Sequence, residues 1–352
     1  MNSSYYPAGI FLAAALSALL LSCSPAGSYK MFGGYAQGGT YTVKVNFSDV
    51  KVSPEEVAAS IDSILTLVDT TLSGYNGMSQ LSRLNRGERI RPSSLLTEIY
   101  AYSYDMYRRT GGALDVSSAP LFDIWGFGFT ADSLPEPARV SEALALCGMD
   151  RLAADMRDVL SEDGMLCAAD LVLGGGEAPK LNFNAIAQGW TCDMVASHLH
   201  SIGVKDMLVD IGEIYCEGLN PSSKPWTLGV DRPVDGNETP GAELSGIWHS
   251  DGGAYGVVTS GNYRKFYVRD GRKFAHTIDP RTGYPVEHNL LSATIVAPTA
   301  AEADALATYC MVIGFDAARE FISGRDDLQG YLIYDDDGRM RTWSSSDFFL
   351  DR

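Results

Sequence analysis

Asp304 and Thr308 combine residue types and a spacing that suit metal chemistry. They stand four residues apart in the apolar run ADALATYCMVI, which is typical of a buried helix. On a helix this spacing places a carboxylate and a hydroxyl on one face. Oxygen ligands of this kind suit Mg²⁺, whose shell usually keeps waters and substrate phosphates. A structural interpretation stays open, in which the aspartate favours the helix N-terminus and the threonine bonds back to a carbonyl.

A second group of reactive side chains lies in the segment HTIDPRTG, residues 276–283. Asp-Pro-x-x-Gly is a turn signature, because proline fixes φ and glycine accepts a positive φ. The turn accounts for Pro280 and Gly283. It does not account for an imidazole, a carboxylate and a guanidinium within six residues, at His276, Asp279 and Arg281.

The segment NFNAIAQG, residues 182–189, precedes a predicted helix. Backbone N–H groups at the start of a helix have no partner within the helix and can bind a phosphate. The segment is therefore a candidate phosphate site. An asparagine that merely caps the helix would give the same pattern.

The elements that must position these residues alternate between helices and strands. Helices are predicted over Ala185–Ile202 and Thr299–Ile313, with Thr299 as N-cap and Gly203 and Gly314 as stop signals. Further helices are predicted from a capping box at Ser53–Glu56 and over Thr97–Arg108. The predicted strands are Thr40–Phe47, Asp206–Gly218, Trp226–Asp231, Tyr255–Thr259 and Leu291–Ala297. Because regular βαβ spacing is absent, the pattern favours an α+β fold with mixed or antiparallel sheets packed against helices.

Composition excludes several classes of protein. The 352 residues are 45% apolar and 20% charged, which is typical of a globular chain. The formal charge of −17 would repel phosphate backbones, so no nucleic-acid partner is expected. The six cysteines include no C-x-x-C pair, so neither a zinc cluster nor a disulfide framework is indicated.

The N-terminus is predicted to be a targeting segment. Residues 11–21 form an apolar run that is shorter than the roughly 20 residues of a spanning helix. The run ends in Leu-Leu-Ser-Cys23, which resembles a bacterial lipobox although no Lys or Arg precedes it. We expect a signal peptide over 1–22, lipidation of Cys23 and a tether over 23–37. The protein would then be lipid-anchored in the bacterial cell envelope, facing the periplasm, and the alternative is a plain secretory signal.

Taken in order, these segments resemble the ApbE family, the FAD:protein FMN transferases. The resemblance runs from about residue 38 to residue 314. The motifs that carry it are GGTY (38–41), LSGY with SQLSRLN (72–85), GGALD with PL and WGFG (111–128), NAIAQG (184–189), HTIDPRTG (276–283) and ADALAT (303–308).

The resemblance implies a flavin bound in a cleft between lobes of a domain spanning 38–352, with 130–180 as a possible variable lobe. It implies Mg²⁺ bound by the Asp304 carboxylate, the Thr308 hydroxyl and the backbone oxygens of Ala185 and Ala307. The implied flavin contacts are Gln37, Tyr75, Ala113, Leu114, Asp115, Asn182, Gln188, Thr277 and Ile278.

The implied reaction is phosphoryl transfer from FAD as substrate. A Thr or Ser hydroxyl of an acceptor redox protein, in a motif of the type D-x-x-S/T-G-A/S-T, attacks the FMN-side phosphorus and AMP leaves. His276 or Asp279 would take the proton of that hydroxyl.

The sequence departs from the family pattern at three implied flavin contacts. Gln37, Asn182 and Gln188 stand where Met, Asp and Lys are usual, and the third change removes a cation beside two phosphates. Two alternatives stay open. One is an FAD pyrophosphatase that releases FMN and AMP, for or against which no motif decides. The other, which the change at Gln188 keeps open, is a lipoprotein that binds flavin without turnover.

Overall fold

The structure, a computed structural model, describes residues 28–126, 134–234, 241–262 and 277–345, and the backbone alone of 266–269 and 272–275. These residues form eight α-helices and fourteen strands. The helices are α1 Pro54–Leu72, α2 Gln80–Asn85, α3 Ser94–Arg109, α4 Ala119–Trp125, α5 Pro137–Leu144, α6 Ala187–Ser201, α7 Ala300–Ile313 and α8 Phe315–Ser323. The strands are β1 Tyr29–Ala36, β2 Gly39–Asn46, β3 Met207–Asp210, β4 Ile214–Glu217, β5 Thr227–Asp231, β6 Leu244–His249, β7 Tyr255–Gly261, β8 Phe266–Arg269, β9 Arg272–Ala275, β10 Ile278–Asp279, β11 Tyr284–Pro285, β12 Leu290–Ala297, β13 Gln329–Asp336 and β14 Arg339–Ser344.

One eight-stranded sheet organises the fold, in the order β1-β2-β3-β4-β7-β12-β13-β14. Every neighbouring pair in it is antiparallel. The strand β12 (LLSATIVA) lies near the middle and is buried along almost its whole length, which explains its nearly continuous apolar sequence. The α+β architecture predicted from the sequence is confirmed.

The single strand predicted over Asp206–Gly218 is wrong, because the chain turns in its middle. Gly212 has a φ of +91°, a conformation that favours glycine, and its N–H donates to Asp210 Oδ1 at 3.1 Å. The turn separates β3 from β4, and the two strands pair with each other. The sequence DIGE therefore encodes a hairpin rather than a continuous strand.

Helix starts follow the predicted caps in two cases and differ in two others. Ser53 and Glu56 form the predicted capping box of α1, and the Thr299 hydroxyl accepts from the Glu302 N–H at the start of α7. The helix α3 begins at Ser94 rather than Thr97, because Ser93 supplies its cap. The helix α6 begins at Ala187, so the predicted start at Ala185 lies in the preceding turn.

The sheet is covered on both faces. On one face α1, α6 and α7 pack against apolar side chains of the central strands, and alternate residues of the same strands face the β5–β6 hairpin. The backbones come close together at Gly256 of β7, where an added Cβ would lie 2.3 Å from the backbone of Thr299 and of Ala300. The start of α7 therefore rests directly on the sheet.

Residues 134–180 contain α5, short 3₁₀ turns and loops. Several of their apolar side chains are buried in the same core as α3 and α7. They are Met149, Leu152, Met156, Leu166 and Leu171.

Several sequence predictions fall outside the described residues. They include the signal peptide, Cys23, residues 23–27 of the tether, and His276. Among the residues that are described, no helix is long and apolar enough to cross a membrane. The five described cysteines are free thiols, and of these only Cys167 is partly exposed.

Candidate functional site

The helices α6 and α7 meet near their first turns, and each supplies a carboxylate to the other. Asp304 Oδ2 of α7 accepts a hydrogen bond from the Gly189 N–H of α6 at 3.0 Å. Asp193 of α6 accepts from the Ala300 and Ala301 N–H groups of α7, both at 2.8 Å. N–H groups in a first helical turn have no partner inside the helix. The two carboxylates therefore satisfy the helix starts and fix how the helices cross.

Gly189 allows this close approach. A Cβ at this position would lie 2.2 Å from the Ala300 carbonyl oxygen and 2.8 Å from Asp304 Cβ. Neither contact is possible for a real side chain without moving one of the helices. Glycine is therefore required here by packing, although a helix interior ordinarily disfavours it.

Burial raises the pKa of both carboxyl groups. The pKa of Asp304 rises to about 7, chiefly through burial, with the Gly189 N–H lowering it and the charge of Asp193 raising it. The pKa of Asp193 rises to about 6, again chiefly through burial, against the two hydrogen bonds from α7. A nearby cation would favour the charged form of either group.

The Asp304 carboxylate, the Thr308 hydroxyl and the Ala185 carbonyl are oxygen ligands of the kind that a hard cation takes. The Gly189 N–H lies in the first turn of α6, where it has no partner inside the helix, and it donates to Asp304. No hydrogen bond to the Ala185 carbonyl occurs within the described part of the chain. The Thr308 hydroxyl likewise makes none there, whereas the Thr191 and Thr110 hydroxyls bond back to carbonyls of their own helices. The structural interpretation of Thr308, that it bonds back to the helix, therefore does not apply.

A metal at this point could not be held by acidic side chains alone. Among the described residues, no three His, Cys, Asp or Glu side chains gather closely enough to bind one. One carboxylate, one hydroxyl and a backbone carbonyl remain, which are ligands that Mg²⁺ accepts together with water and phosphate oxygens. Ala307, the fourth implied ligand, is buried in the interior of α7.

Two glutamine side chains lie against the first turns of α6. Gln188 Nε2 donates to the Ile211 carbonyl at 3.1 Å, in the turn between β3 and β4. Gln37 Nε2 donates to Thr191 Oγ1 at 2.7 Å, from the turn between β1 and β2. The structure thus brings Gln37, Gln188, Ala185 and Asp304 to one end of α6.

A buried carboxylate lies in a second part of the predicted site. Asp115 accepts hydrogen bonds from the Ser117 N–H at 2.8 Å, the Ser117 hydroxyl at 2.6 Å and the Gly148 N–H at 2.9 Å. Burial nevertheless raises its pKa above the ordinary value. It lines a small cleft of about 130 Å³ with Tyr107, Gly111, Gly112, Leu144, Cys147, Gly148, Pro280 and Arg281. Part of the HTIDPRTG segment therefore faces Asp115.

Four other implied flavin contacts are Asn182, Ala113, Leu114 and Tyr75, and the first three interact mainly through or with backbone atoms. Asn182 donates its N–H to the Val116 carbonyl at 2.7 Å, and its side chain accepts from the Asn184 N–H at 2.9 Å. Ala113 and Leu114 are buried, so they would meet a ligand through backbone atoms. Tyr75, after α1, has 73% of its surface exposed.

The segment around Asp279 is a tightly bonded turn. The Arg281 guanidinium donates to both oxygens of Asp279, at 2.9 and 2.8 Å. Thr277 Oγ1 donates to Asn262 Oδ1 at 2.7 Å, and Ile278 is buried in the cluster that contains Leu121. Trp125 Nε1 donates to the Gly283 carbonyl at 2.7 Å. The turn is thereby fixed to α4.

A sequence model described as the ApbE family matches residues 38–332. The chain belongs to the ApbE family.

Curated relatives and solved structures agree with this membership. The FAD:protein FMN transferase of Haemophilus influenzae is 31% identical over 347 residues, covering 96% of this chain and 95% of that protein. The FAD:protein FMN transferase of Salmonella typhimurium is 31% identical over 324 residues, covering 90% and 87%. Among solved structures, the apo flavinyl transferase ApbE of Pseudomonas stutzeri is similar at a TM-score of 0.76 with 30% identity, covering 91% of this chain and 95% of that one.

Asp193 and Thr191 also lie at this end of α6, and the sequence patterns do not predict either of them as part of the site. Asp193 interrupts a helix whose other inward positions, such as Cys192 and Val195, are buried and apolar. A lone carboxylate among buried positions is a usable signal, because burying a charge is costly unless it has partners. Its partners, Ala300 and Ala301, are backbone donors more than 100 residues away, and side-chain patterns do not reveal them.

Proposed function

We propose that this chain transfers FMN from FAD to a Thr or Ser hydroxyl of an acceptor protein and releases AMP, with Mg²⁺ bound at Asp304. The observation that carries the proposal is the crossing of α6 and α7, where the buried Asp304 carboxylate accepts from the Gly189 N–H. Thr308 lies one turn further along α7, and among the described residues neither its hydroxyl nor the Ala185 carbonyl has a hydrogen-bond partner. Membership of the ApbE family, whose curated relatives are named FAD:protein FMN transferases, supplies the reaction class.

Asp304, Thr308 and the Ala185 carbonyl would hold the Mg²⁺, with Ala307 as the remaining implied ligand. When bound, the ion offsets negative charge on the pyrophosphate and on the departing AMP. Asp304 is suited to this role because burial leaves its charge poorly solvated, so the carboxylate gains more from a cation than an exposed one would.

The remaining site residues would bind and orient FAD. The α6 N-terminus and the side chains of Gln188 and Gln37 lie on the phosphate side. The cleft at Asp115 lies on the flavin side, with Tyr75, Asn182, Thr277 and Ile278 as further implied contacts.

The transfer forms one bond and breaks one. The acceptor hydroxyl oxygen bonds to the FMN-side phosphorus, and the bond from that phosphorus to the bridging oxygen breaks, so the oxygen leaves with AMP. The hydroxyl proton passes to His276 or Asp279. Both oxygens of Asp279 already accept from Arg281, which favours His276 for this step. A His276→Ala enzyme that keeps the full transfer rate would remove this assignment.

Two product measurements separate the candidate functions. The protein, FAD and Mg²⁺ are incubated with and without an acceptor domain that carries a D-x-x-S/T-G-A/S-T sequence. AMP release with a mass gain of one FMN on the acceptor supports transfer. AMP release that is equal without acceptor, and with no mass gain, indicates the pyrophosphatase. Bound FAD with neither product indicates a flavin-binding protein.

We also propose that Cys23 is lipidated and that the mature protein is anchored in the cell envelope, facing the periplasm. The support is the Leu-Leu-Ser-Cys motif that follows the apolar run. Cells expressing the full chain and a Cys23→Ser variant would be grown with a radiolabelled fatty acid. Label is expected only on the protein that keeps Cys23, and equal label on both would overturn the assignment.

A further inference from the structure

The strand β1 forms one edge of the main sheet. It pairs with β2 through eight consecutive residue pairs with no shift in register, from Tyr29 opposite Asn46 to Ala36 opposite Gly39. Within the described part of the chain, no strand pairs with its outer side. The edge is therefore long, regular and free of bulges.

One hydrogen bond fixes which backbone groups face outward. The Phe47 N–H donates to the Ser28 carbonyl at 2.8 Å, so Ser28 and Phe47 form a hydrogen-bonded pair. In an antiparallel ladder such pairs alternate with pairs whose N–H and C=O groups point away from each other. Even-numbered residues of β1 therefore bond to β2. The outward groups belong to Tyr29, Met31, Gly33 and Tyr35.

The edge lacks the features that ordinarily block pairing. Proteins protect edge strands with prolines, bulges and charged side chains. The sequence of β1, YKMFGGYA, contains no proline and one charge, at Lys30. At the opposite edge of the sheet, β14 carries Arg339 and Arg341 within six residues. Of the two edges, β1 is therefore better suited to pair with another strand.

The side chains along the outer part of β1 add contact surface. Met31 is 44% exposed and Tyr35 is 74% exposed. Between them, Gly33 and Gly34 carry no side chain, and a glycine in a strand often marks close approach of another backbone. The edge thus offers two apolar contacts on either side of an open stretch of backbone.

The edge leads directly to the proposed site. The strand β1 ends at Ala36, and the next residue, Gln37, bonds to Thr191 on α6. Thr191 lies two residues from Gly189, the donor to Asp304. A strand added along β1 would therefore have one end beside the helix crossing.

We propose that the outer edge of β1 binds an extended segment of the acceptor protein as a ninth strand, and so delivers its hydroxyl to the site. Strand addition at a sheet edge is an established mode of peptide recognition, with affinity from main-chain hydrogen bonds. The proposal rests on the proposed function, because it needs an acceptor protein. The hydroxyl-bearing residue follows the end of the segment that lies at Gln37.

The first test removes one outward N–H and keeps the pairing to β2. Met31→Pro does this, since proline lacks the N–H and is tolerated where that group faces away from the sheet. Met31→Ala is the matched control, because it shortens the side chain and keeps the N–H. The acceptor domain described above is the probe, and FAD affinity is measured alongside. We expect Met31→Pro to raise the KM for the acceptor about ten-fold, with Met31→Ala much closer to wild type and FAD affinity unchanged in both.

Amide hydrogen exchange of the wild-type protein gives a second test that needs no variant of β1. The acceptor's hydroxyl residue is replaced by Val, so that it binds without reacting. We expect added protection at the Met31, Gly33 and Tyr35 amides and none at the even-numbered amides already bonded to β2.

The outcomes separate this proposal from the proposed function. If the wild-type protein labels no acceptor, the proposed function fails. If it labels the acceptor while Met31→Pro does so equally well, or the three amides gain no protection, strand addition is wrong. Equal losses for Met31→Pro and Met31→Ala would also overturn it in favour of a side-chain contact. Protection that appears without acceptor as protein concentration rises would assign the edge to a second copy of this chain.

Discussion

Asp193 and Asp304 each hold the first turn of the other's helix. Asp304 of α7 accepts from the Gly189 N–H of α6, and Asp193 of α6 accepts from the Ala300 and Ala301 N–H groups of α7. Both helix starts therefore lie at one point, with their N-terminal dipoles close together. The N–H groups of Gly189, Ala300 and Ala301 are thereby occupied by carboxylate oxygens of the protein itself. The structure thus holds two buried carboxylates at the point where the two helices begin.

Replacing Gly189 by alanine should separate the two helices. The added Cβ would meet the Ala300 carbonyl oxygen at 2.2 Å, a backbone atom that cannot rotate away. We expect a loss of about 3 kcal/mol in the free energy of unfolding, measured by urea denaturation. Gly74→Ala is the control, because nothing lies within 4 Å of its added Cβ, and it should change stability by less than about 0.5 kcal/mol. Equal stability of the two variants would show that the helices are not held in close contact.

Stability of the metal-free protein should fall as pH rises through the range in which Asp193 titrates. Burial raises its pKa from 3.8 to about 6, so between these values the folded state holds a proton that the unfolded state has released. The raised pKa of Asp193 adds about 3 kcal/mol to the free energy of unfolding below about pH 4. This stabilisation is lost as pH rises through about 6. Denaturation in EDTA across this range measures it. Asp193→Asn, which has no carboxyl group to titrate, should show a correspondingly smaller fall, whereas an identical pH profile would contradict the assignment.

Mg²⁺ should stabilise the folded protein, and EDTA should reverse the effect. A ligand that binds only the folded state adds about 1.4 kcal/mol at a concentration ten times its Kd. We expect thermal unfolding to move to higher temperature with Mg²⁺ for the wild type, and not for Asp304→Ala. Asp316→Ala is the control, because it removes an exposed carboxylate on α8. A shift that survives in Asp304→Ala would place the ion elsewhere.

Replacing Gln188 by lysine should tighten FAD binding. The Gln188 side chain bonds to Ile211 beside the α6 N-terminus and brings no charge to the proposed phosphate side. A lysine would add a cation there, and we expect the Kd for FAD to fall about ten-fold at low salt and less at high salt. Gln188→Met, of similar length and no charge, should not tighten binding. If lysine and methionine give the same Kd, the side chain does not face the phosphates.

Local sequence signals predicted the elements that carry the site. The apolar run around Asp304 with a Thr299 cap gave α7, and the Ser53 capping box gave α1, because both signals act within a few residues. The turn at Gly212 was missed because its single glycine lies inside an otherwise strand-like run.

Contacts between distant segments were not readable from the same signals. Gln37 and Thr191 are 154 residues apart, and neither segment contains a pattern that predicts their contact. The Asp193 contacts with Ala300 and Ala301 involve backbone donors, which every residue except proline carries. The family resemblance implied Gln37 as a flavin contact. The contacts of Asp193 could be found only from the folded structure.

The intact mass of an acceptor domain shows whether FMN is transferred and whether Asp304 is needed for the transfer. The wild-type protein, Asp304→Asn and Asp304→Ala are each incubated with the acceptor, FAD and Mg²⁺. Asp304→Asn keeps an oxygen that can accept from Gly189 and loses only the charge, so it separates the metal role from the role in packing. We expect a mass gain of one FMN with the wild type, abolished by EDTA and slowed about 100-fold or more in both variants. A full mass gain with Asp304→Asn at the wild-type rate would contradict it.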